Sequence, residues 1–267
     1  MPASSPRLAD ALLRYASPFS RLRALPILSH FLRYTKRALA SADAPTWAQI
    51  ESGPSAGLWI AVHSSNAKLV LQGEYEPQVQ KALADRLRPG MTFYEVGANV
   101  GFFSLLALRL VGEDGRAFLF EQDPVLFRRL RLNLARNGFL CGVCEEKAVR
   151  RESTSLQSAH APLSGVPGRG LGPIAGDEIE SGSTCVESVS IDDYCSSHPA
   201  PDFIQCEVEG TECEVFQGSA NTLRQWHPTI VCEMHSTENH FALTRYFLDF
   251  GYTCHALGPH HVLAVLE

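Results

Sequence analysis

The sequence predicts an α/β protein built on a doubly wound, mainly parallel sheet. Three observations carry that prediction. From residue 91 onward, apolar strand segments alternate with amphipathic helical segments, the pattern of parallel βαβ units. The first of these strands passes into helix through "FYEVGANVGFF" (93–103), where two glycines stand four positions apart. The chain closes on "YTCHAL" and "HVLAVLE", two strands joined only by Gly-Pro-His and therefore antiparallel to each other.

With 267 residues, 45% hydrophobic and 19% charged, the chain has an ordinary globular composition and the length for one large α/β domain or two small ones. No apolar run reaches about 18 residues, so no membrane-spanning helix is expected. The amino terminus lacks a basic start, long apolar core and small-residue cleavage site, so secretion is not expected and the cytoplasm is the expected location. Eight cysteines, at 141, 144, 185, 195, 206, 213, 232 and 254, include several inside strand segments, which suits buried thiols better than a disulfide framework. Cys141-Gly-Val-Cys144 has no second pair to complete a zinc site and is read as two reduced thiols.

The net charge of −6 divides unevenly. Residues 1–40 hold seven Lys/Arg against one acid, Asp10, so that of the totals of 23 and 29 the rest keeps 16 bases and 28 acids. Such an acidic body repels a polyanion, and nucleic acid is not the expected partner. The basic head is read as helices with arginines in water, and it permits peripheral contact with an anionic membrane surface.

Residues 1–45 form this basic helical extension: Leu8, Leu12 and Tyr15 recur at helical spacing, and Pro18 and Pro26 divide the segment. Residues 46–90 precede the core. There "GLWIAVHSSNAKLVL" reads as two strands round a Ser-Ser-Asn turn, and "EPQVQKALADRLRPG" as a helix stopped by Pro89-Gly90. Residues 91–267 form the main domain. Strand 92–96 leads to helix 100–111, and strand 116–121 to helix 124–137. Asp123-Pro124 caps and opens that second helix, and Asn137-Gly138 ends it. A strand near 142–149 precedes a Ser/Gly/Pro-rich loop at 151–185, whose length without periodicity suits a lid or acceptor-recognition element. "CVESVSIDDYC" gives a strand and a short helix. Strand "DFIQCEV" leads to helix "TECEVFQGSANTLRQW", and strand "TIVCEM" to helix "NHFALTRYFLDFG", before the closing pair.

In an open α/β sheet ligands lie beyond the carboxyl ends of the strands, so the bend after strand 92–96 is where a cofactor is expected. Gly97 and Gly101 let backbone approach it closely. A dinucleotide calls for GxGxxG with amides against a pyrophosphate, whereas the spacing here is Gly97-Ala98-Asn99-Val100-Gly101. Glu95 at the strand end opposes a pyrophosphate and suits a cationic amino group. The expected ligand is a zwitterion carrying a sulfonium, S-adenosylmethionine. Glu121, ending the next strand, is placed to accept both ribose hydroxyls.

The segments "GEYE" (73–76), "FYEVGANVGFFSLLA" (93–107), "FLFEQDPVLFRRLRLNLARN" (118–137), "SVSIDDY" (188–194), "DFIQCEVEGTECEVFQGS" (202–219) and "PTIVCEMH" (228–235) together resemble the class I S-adenosylmethionine-dependent methyltransferases, and within them the FkbM family. The resemblance spans roughly residues 50–260. It implies a seven-stranded sheet with the last strand antiparallel, and methyl transfer, typically to a hydroxyl of a small molecule, natural product or sugar-containing glycan. Expected cofactor contacts in the bend are Glu95, Gly97, Ala98, Asn99 and Gly101. Beyond it they are Glu121, Gln122, Ala148 near the adenine edge, and Glu76, which with Tyr75 covers the methionine end or simply starts a helix. The family pattern Lys-Ile-Asp-Val-Glu-Gly is replaced by Gln205-Cys206-Glu207-Val208-Glu209-Gly210. Family "FEPDP" stands here as Phe120-Glu121-Gln122-Asp123-Pro124.

A hydroxyl acceptor must lose its proton to a base or a metal. The candidates at strand ends are Glu207, Glu209 and His235, with Glu233 beside them. Direct base or orienting work is favoured, with His235 as base. Magnesium held by Glu207 and Glu233 is the unfavoured alternative, since hard-metal sites prefer more oxygen ligands. Glu209 also suits a helix start, and His235 a plain loop position. His63, His160 and His198 are read as surface residues. The rival function is a cofactor-binding module that has lost transfer chemistry, motivated by the Gln205–Glu207 departure. A nicotinamide dehydrogenase is disfavoured by the glycine spacing.

Overall fold

The computed structural model describes residues 46–62, 67–154 and 186–267. The expected basic extension, the Ser-Ser-Asn turn, His63, His160 and most of the 151–185 loop lie outside them. In chain order the elements are β1 (Thr46–Gln49), β2 (Trp59–Val62), α1 (Ala67–Gln72), α2 (Pro77–Arg86), β3 (Thr92–Val96), α3 (Phe102–Val111), β4 (Arg116–Phe120) and α4 (Pro124–Arg136). There follow β5 (Gly142–Glu145), β6 (Ala148–Val149), β7 (Ser188–Val189), α5 (Ile191–Cys195), β8 (Phe203–Cys206), α6 (Glu212–Gln217) and α7 (Ala220–Trp226). The last are β9 (Thr229–Glu233), α8 (Thr237–Asp249), β10 (Thr253–Ala256) and β11 (His261–Val265).

The seven-stranded sheet has the order β5-β4-β3-β8-β9-β11-β10. Its five strands from β5 to β9 run parallel. β11 runs antiparallel to both β9 and β10, as the closing strand pair foretold. The chain steps outward from β3 to β5 and then returns to β8 on the other side of β3. The connections therefore diverge between β3 and β8, where open sheets bind ligands.

The period-2 alternation of β3 sends Phe93 and Glu95 to one face and Tyr94 and Val96 to the other. On the first face Phe93, Phe203, Val231 and Leu263 pack with Leu105 and Leu106 of α3. On the second Tyr94, Phe118, Ile204, Cys232 and Val262 pack with Phe216 and Phe247. Complete burial of each such side chain stabilises by about 1.5–3 kcal/mol, and Phe93, Leu105, Ile204 and Phe216 are all at 0–1% exposure. α4 starts as expected, the Asp123 carboxylate accepting the Val125 and Leu126 N–H groups at 2.7 and 3.1 Å. The seven cysteines among the described residues are free thiols.

Three expectations need correction. β2 does not fold back on residues 67–71, which are helical in α1; it pairs with β1, Trp59 opposite Gln49. Asparagine side chains occupy its other edge. Asn137 accepts from the Trp59 N–H at 2.8 Å and donates to the Trp59 carbonyl at 2.7 Å, and Asn133 accepts from the Ala61 N–H at 2.8 Å. Ala, Lys, Leu and Gln then favour helix for the segment left without a ladder. The helix expected over 211–226 is two, because a Cβ at Gly218 would lie 2.4 Å from the Arg150 carbonyl and the Gly218 carbonyl takes the Asp192 N–H at 2.9 Å. The strand near 142–149 is also two. β5 stays in the main sheet, while β6 leaves it to pair in parallel with β7.

Candidate active site

The bend of residues 97–101 is held by its own hydrogen bonds and by the end of β4. The Gly97 and Ala98 N–H groups donate to the Phe120 carbonyl at 3.0 and 2.9 Å, and the Gly101 N–H donates to the Ala98 carbonyl at 2.8 Å. The Asn99 N–H donates to Glu121 Oε2 and the Val100 N–H to Asn99 Oδ1, both at 2.8 Å. A pyrophosphate cradle needs unspent amides, and all five here are spent. Gly97, Asn99 and Gly101 take positive φ, at 85°, 52° and 87°. The glycines answer to packing as well as to any ligand. A Cβ on Gly97 would lie 1.9 Å from the Glu207 carbonyl oxygen, and one on Gly101 would lie 2.6 Å from Leu130 Cδ1.

Glu121 closes β4 at 6% exposure. Besides the Asn99 N–H on Oε2, its Oε1 accepts the Asp123 N–H at 2.7 Å. Burial pushes its pKa up to about 7, against the opposing pull of those amides. Each oxygen keeps a second lone pair, so the carboxylate fits a ribose diol without surrendering a backbone bond. Gln122 accepts from Arg150 Nη2 at 3.3 Å, and Ala148 is buried in β6.

Glu95 departs from its expected role. It is 1% exposed and accepts from the Ser104 hydroxyl of α3 instead of facing the open bend. Burial lifts its pKa to about 8, so near neutral pH it is largely an uncharged acid and a poor partner for a cationic amino group.

A second group of side chains stands at the carboxyl ends of β8 and β9. His235 Nδ1 lies 2.5 Å from Oε1 of Glu212, a carboxylate with no exposed surface that also accepts the Asn239 amide at 2.6 Å. The other ring nitrogen, Nε2, is 3.3 Å from Glu209 Oε2 and 3.4 Å from Glu233 Oε2. Burial pulls the His235 pKa down, but the Glu212 hydrogen bond and the charges of Glu233, Glu212 and Glu209 outweigh it and leave the value raised. Burial, with the charges of Glu76 and Glu233, holds Glu207 well above the ordinary carboxylate range. Glu233 is also raised, mainly by burial and against the pull of His235, and the two acids hydrogen-bond each other. Glu76 lies on the other side of this group, its Oε2 3.1 Å from His261 Nε2. Tyr75 is buried beside it, edge-on to Phe102 with ring centroids 5.4 Å apart.

The expected catalytic set of Glu207, Glu209, Glu233 and His235 is thus drawn together, and Glu76 joins it. Sequence reasoning missed Glu212 and His261. Glu212 carried a usable signal, since an acid one residue into a helix beside a strand-end histidine is placed to orient it. His261 carried none, because its nearness depends on β11 inserting antiparallel beside β9. His198 is half-buried and stacked on Tyr194 with centroids 3.9 Å apart, not a free surface residue.

A family model described as the methyltransferase FkbM domain matches residues 95–254, more than half the chain. Similar solved structures include a methyltransferase FkbM from Methylobacillus flagellatus KT, at 14% identity and TM-score 0.49, covering 76% of this chain and 56% of that one. The chain thus spans little more than half the length of that protein. A precorrin-6y C5,15-methyltransferase from Geobacter metallireducens GS-15 is similar at 16% identity and TM-score 0.46, covering 72% and 88%. A SAM dependent methyltransferase from Aquifex aeolicus follows at 13% identity and TM-score 0.42, covering 77% and 95%. No curated protein sequence matches.

Proposed function

The chain belongs to the FkbM methyltransferase family, and from that premise we propose that it transfers a methyl group from S-adenosylmethionine to a hydroxyl of a small molecule, natural product or sugar. The observation that carries this reading is the contact of Gly97 with the Glu207 carbonyl, which makes the cofactor bend and the acid–imidazole group two sides of one wall. Bound there, the cofactor supplies an electrophilic sulfonium methyl. Glu121, pre-oriented by the amides of Asn99 and Asp123, grips the ribose. His235 takes the proton of the acceptor hydroxyl. Glu212 fixes its Nδ1 and supports the positive charge that forms, as the buried acid of a catalytic triad does. Alignment of acceptor and methyl is the remaining requirement and supplies up to about 7–11 kcal/mol.

Calorimetry with S-adenosylhomocysteine and transfer of tritium from labelled S-adenosylmethionine to hydroxylated acceptors test the proposal. Cofactor binding is expected to weaken at least about tenfold in Glu121→Ala, by loss of a charged hydrogen-bond partner. Turnover is expected to fall about 100- to 10,000-fold in His235→Ala, by loss of a general base. A folded protein that binds neither form of the cofactor refutes the assignment. Binding without transfer to any acceptor favours the non-catalytic module.

A further inference from the structure

We propose that Glu76, Glu233 and His261 bind a first-row divalent cation. One oxygen of each carboxylate and one ring nitrogen all lie within 4.8 Å of one another. Donors held about 2.0–2.2 Å from one ion stand roughly 3 Å apart when adjacent and roughly 4.3 Å when opposite. The Glu76–His261 separation of 3.1 Å already has the adjacent value.

Acids near a histidine would not by themselves make a site. The independent observation is that Glu76 Oε2 and His261 Nε2 are both buried without a hydrogen-bond partner among the described residues. His261 retains 4% of its surface. The two atoms face each other as a close ion pair that makes no hydrogen bond, and one cation between them would give both a ligand bond.

The three side chains come from three elements that hold them firmly. Glu76 precedes α2 in the left-handed region at φ 42°. The Val79 and Gln80 N–H groups bind its carbonyl at 3.0 and 3.2 Å, and the Gln80 side chain binds the Tyr75 carbonyl at 2.5 Å. Glu233 ends β9 and His261 begins β11, directly opposite each other in the sheet register. Glu207 hydrogen-bonds Glu233 from outside the donor set, the orienting role that a second acid plays around a metal. Two carboxylates with one imidazole suit Mn²⁺, Fe²⁺ or Zn²⁺ better than Mg²⁺ or Ca²⁺, which take oxygen donors.

The inference stands apart from the transfer reading, since it concerns ion binding by the cofactor-free chain. Full-length protein is stripped with chelator, returned to chelator-free buffer and titrated with Mn²⁺ alone, with bound ion followed by electron paramagnetic resonance. One ion per chain is expected, with nitrogen modulation from a directly bound imidazole in the spin-echo spectrum. His261→Gln should weaken binding at least about 100-fold and abolish the modulation while thermal unfolding stays cooperative. Glu233→Gln, with the same expected loss of affinity, replaces it if that variant does not fold. Absence of saturable binding, a bound ion without nitrogen modulation, or unchanged affinity in a folded variant overturns the proposal. Calorimetry with S-adenosylhomocysteine on the same preparation separates the two ideas. Ion binding without cofactor binding sinks the transfer reading alone, and the reverse result sinks this one alone.

Discussion

Glu95 sits where strand alternation sets it, on the face shared by Phe93, with Gln205 of β8 as its register partner. Its raised pKa has a defined effect on stability. Below the ordinary value of 4.5 the carboxyl is neutral folded and unfolded, and its full contribution is present. Between 4.5 and about 8 the unfolded chain ionises while the native chain does not, so stability falls as pH rises, and the loss is complete above about 8. Glu95→Gln keeps shape and neutrality. Urea unfolding at a series of pH values should show parent and variant similar near pH 4.5, with the variant more stable by a few kcal/mol at pH 8, at about 1.4 kcal/mol per pH unit. Indifference to pH in the difference curve would mean that the carboxyl reaches solvent. The sequence shows an acid near the end of β3, and the period-2 argument that buries Phe93 buries Glu95 with it, whatever its charge suggests.

At the level of elements, the bend between β3 and α3 is a joint between strands as much as a ligand cradle. Gly97→Ala must place a methyl against the Glu207 carbonyl at φ +85°, so a loss of about 3 kcal/mol or more is expected, with cofactor affinity falling in parallel. Gly210→Ala is the control: it shares a positive φ of +103° but meets nothing within 4 Å. It should lose only about 1–2 kcal/mol. Chemical denaturation of the two variants checks the contrast, and equal losses would leave strain, not the β3–β8 contact, as the cause. Most elements were legible because their signals are local: the Asp123-Pro124 start, the period of β3 and the alternation that forced a parallel sheet. The failures arose where distant partners decide. Asn133 and Asn137 occupy an edge of β2 that the sequence left open to its neighbour, and Arg150 meets Gly218 and divides a helix whose pattern runs unbroken.

Taken whole, the described residues form one large sheet covered on both faces, with two short strand pairs outside it and with the 97–101 bend and the acid–imidazole group along its carboxyl edge. A ligand bound there that the unfolded chain cannot bind stabilises the whole by about 2.7 kcal/mol at 100 times its Kd. For a chain of this size each kcal/mol is worth roughly 2–4 °C. Saturating S-adenosylhomocysteine should therefore raise the melting temperature by roughly 5–10 °C, a shift that a tenfold loss of affinity in Glu121→Ala should cut to about half at the same ligand concentration. The nearness of the 97–101 bend to Glu121 was readable because both lie within one contiguous stretch, 93–121. The acid–imidazole group was readable only in part, because it is gathered from four separate segments around Glu76, Glu207, Glu233 and His261.

The reversed course of β11 also sets a timetable. His261 is translated 140 positions after Glu121 (261 − 121); at about 5–20 residues per second this is a delay of roughly 7–28 s. A nascent polypeptide thus owns Glu121 and the 97–101 bend well before the imidazole that borders Glu76 is made. A chain stalled before β11 would carry the 97–101 bend with the imidazole side of that sheet edge unfinished.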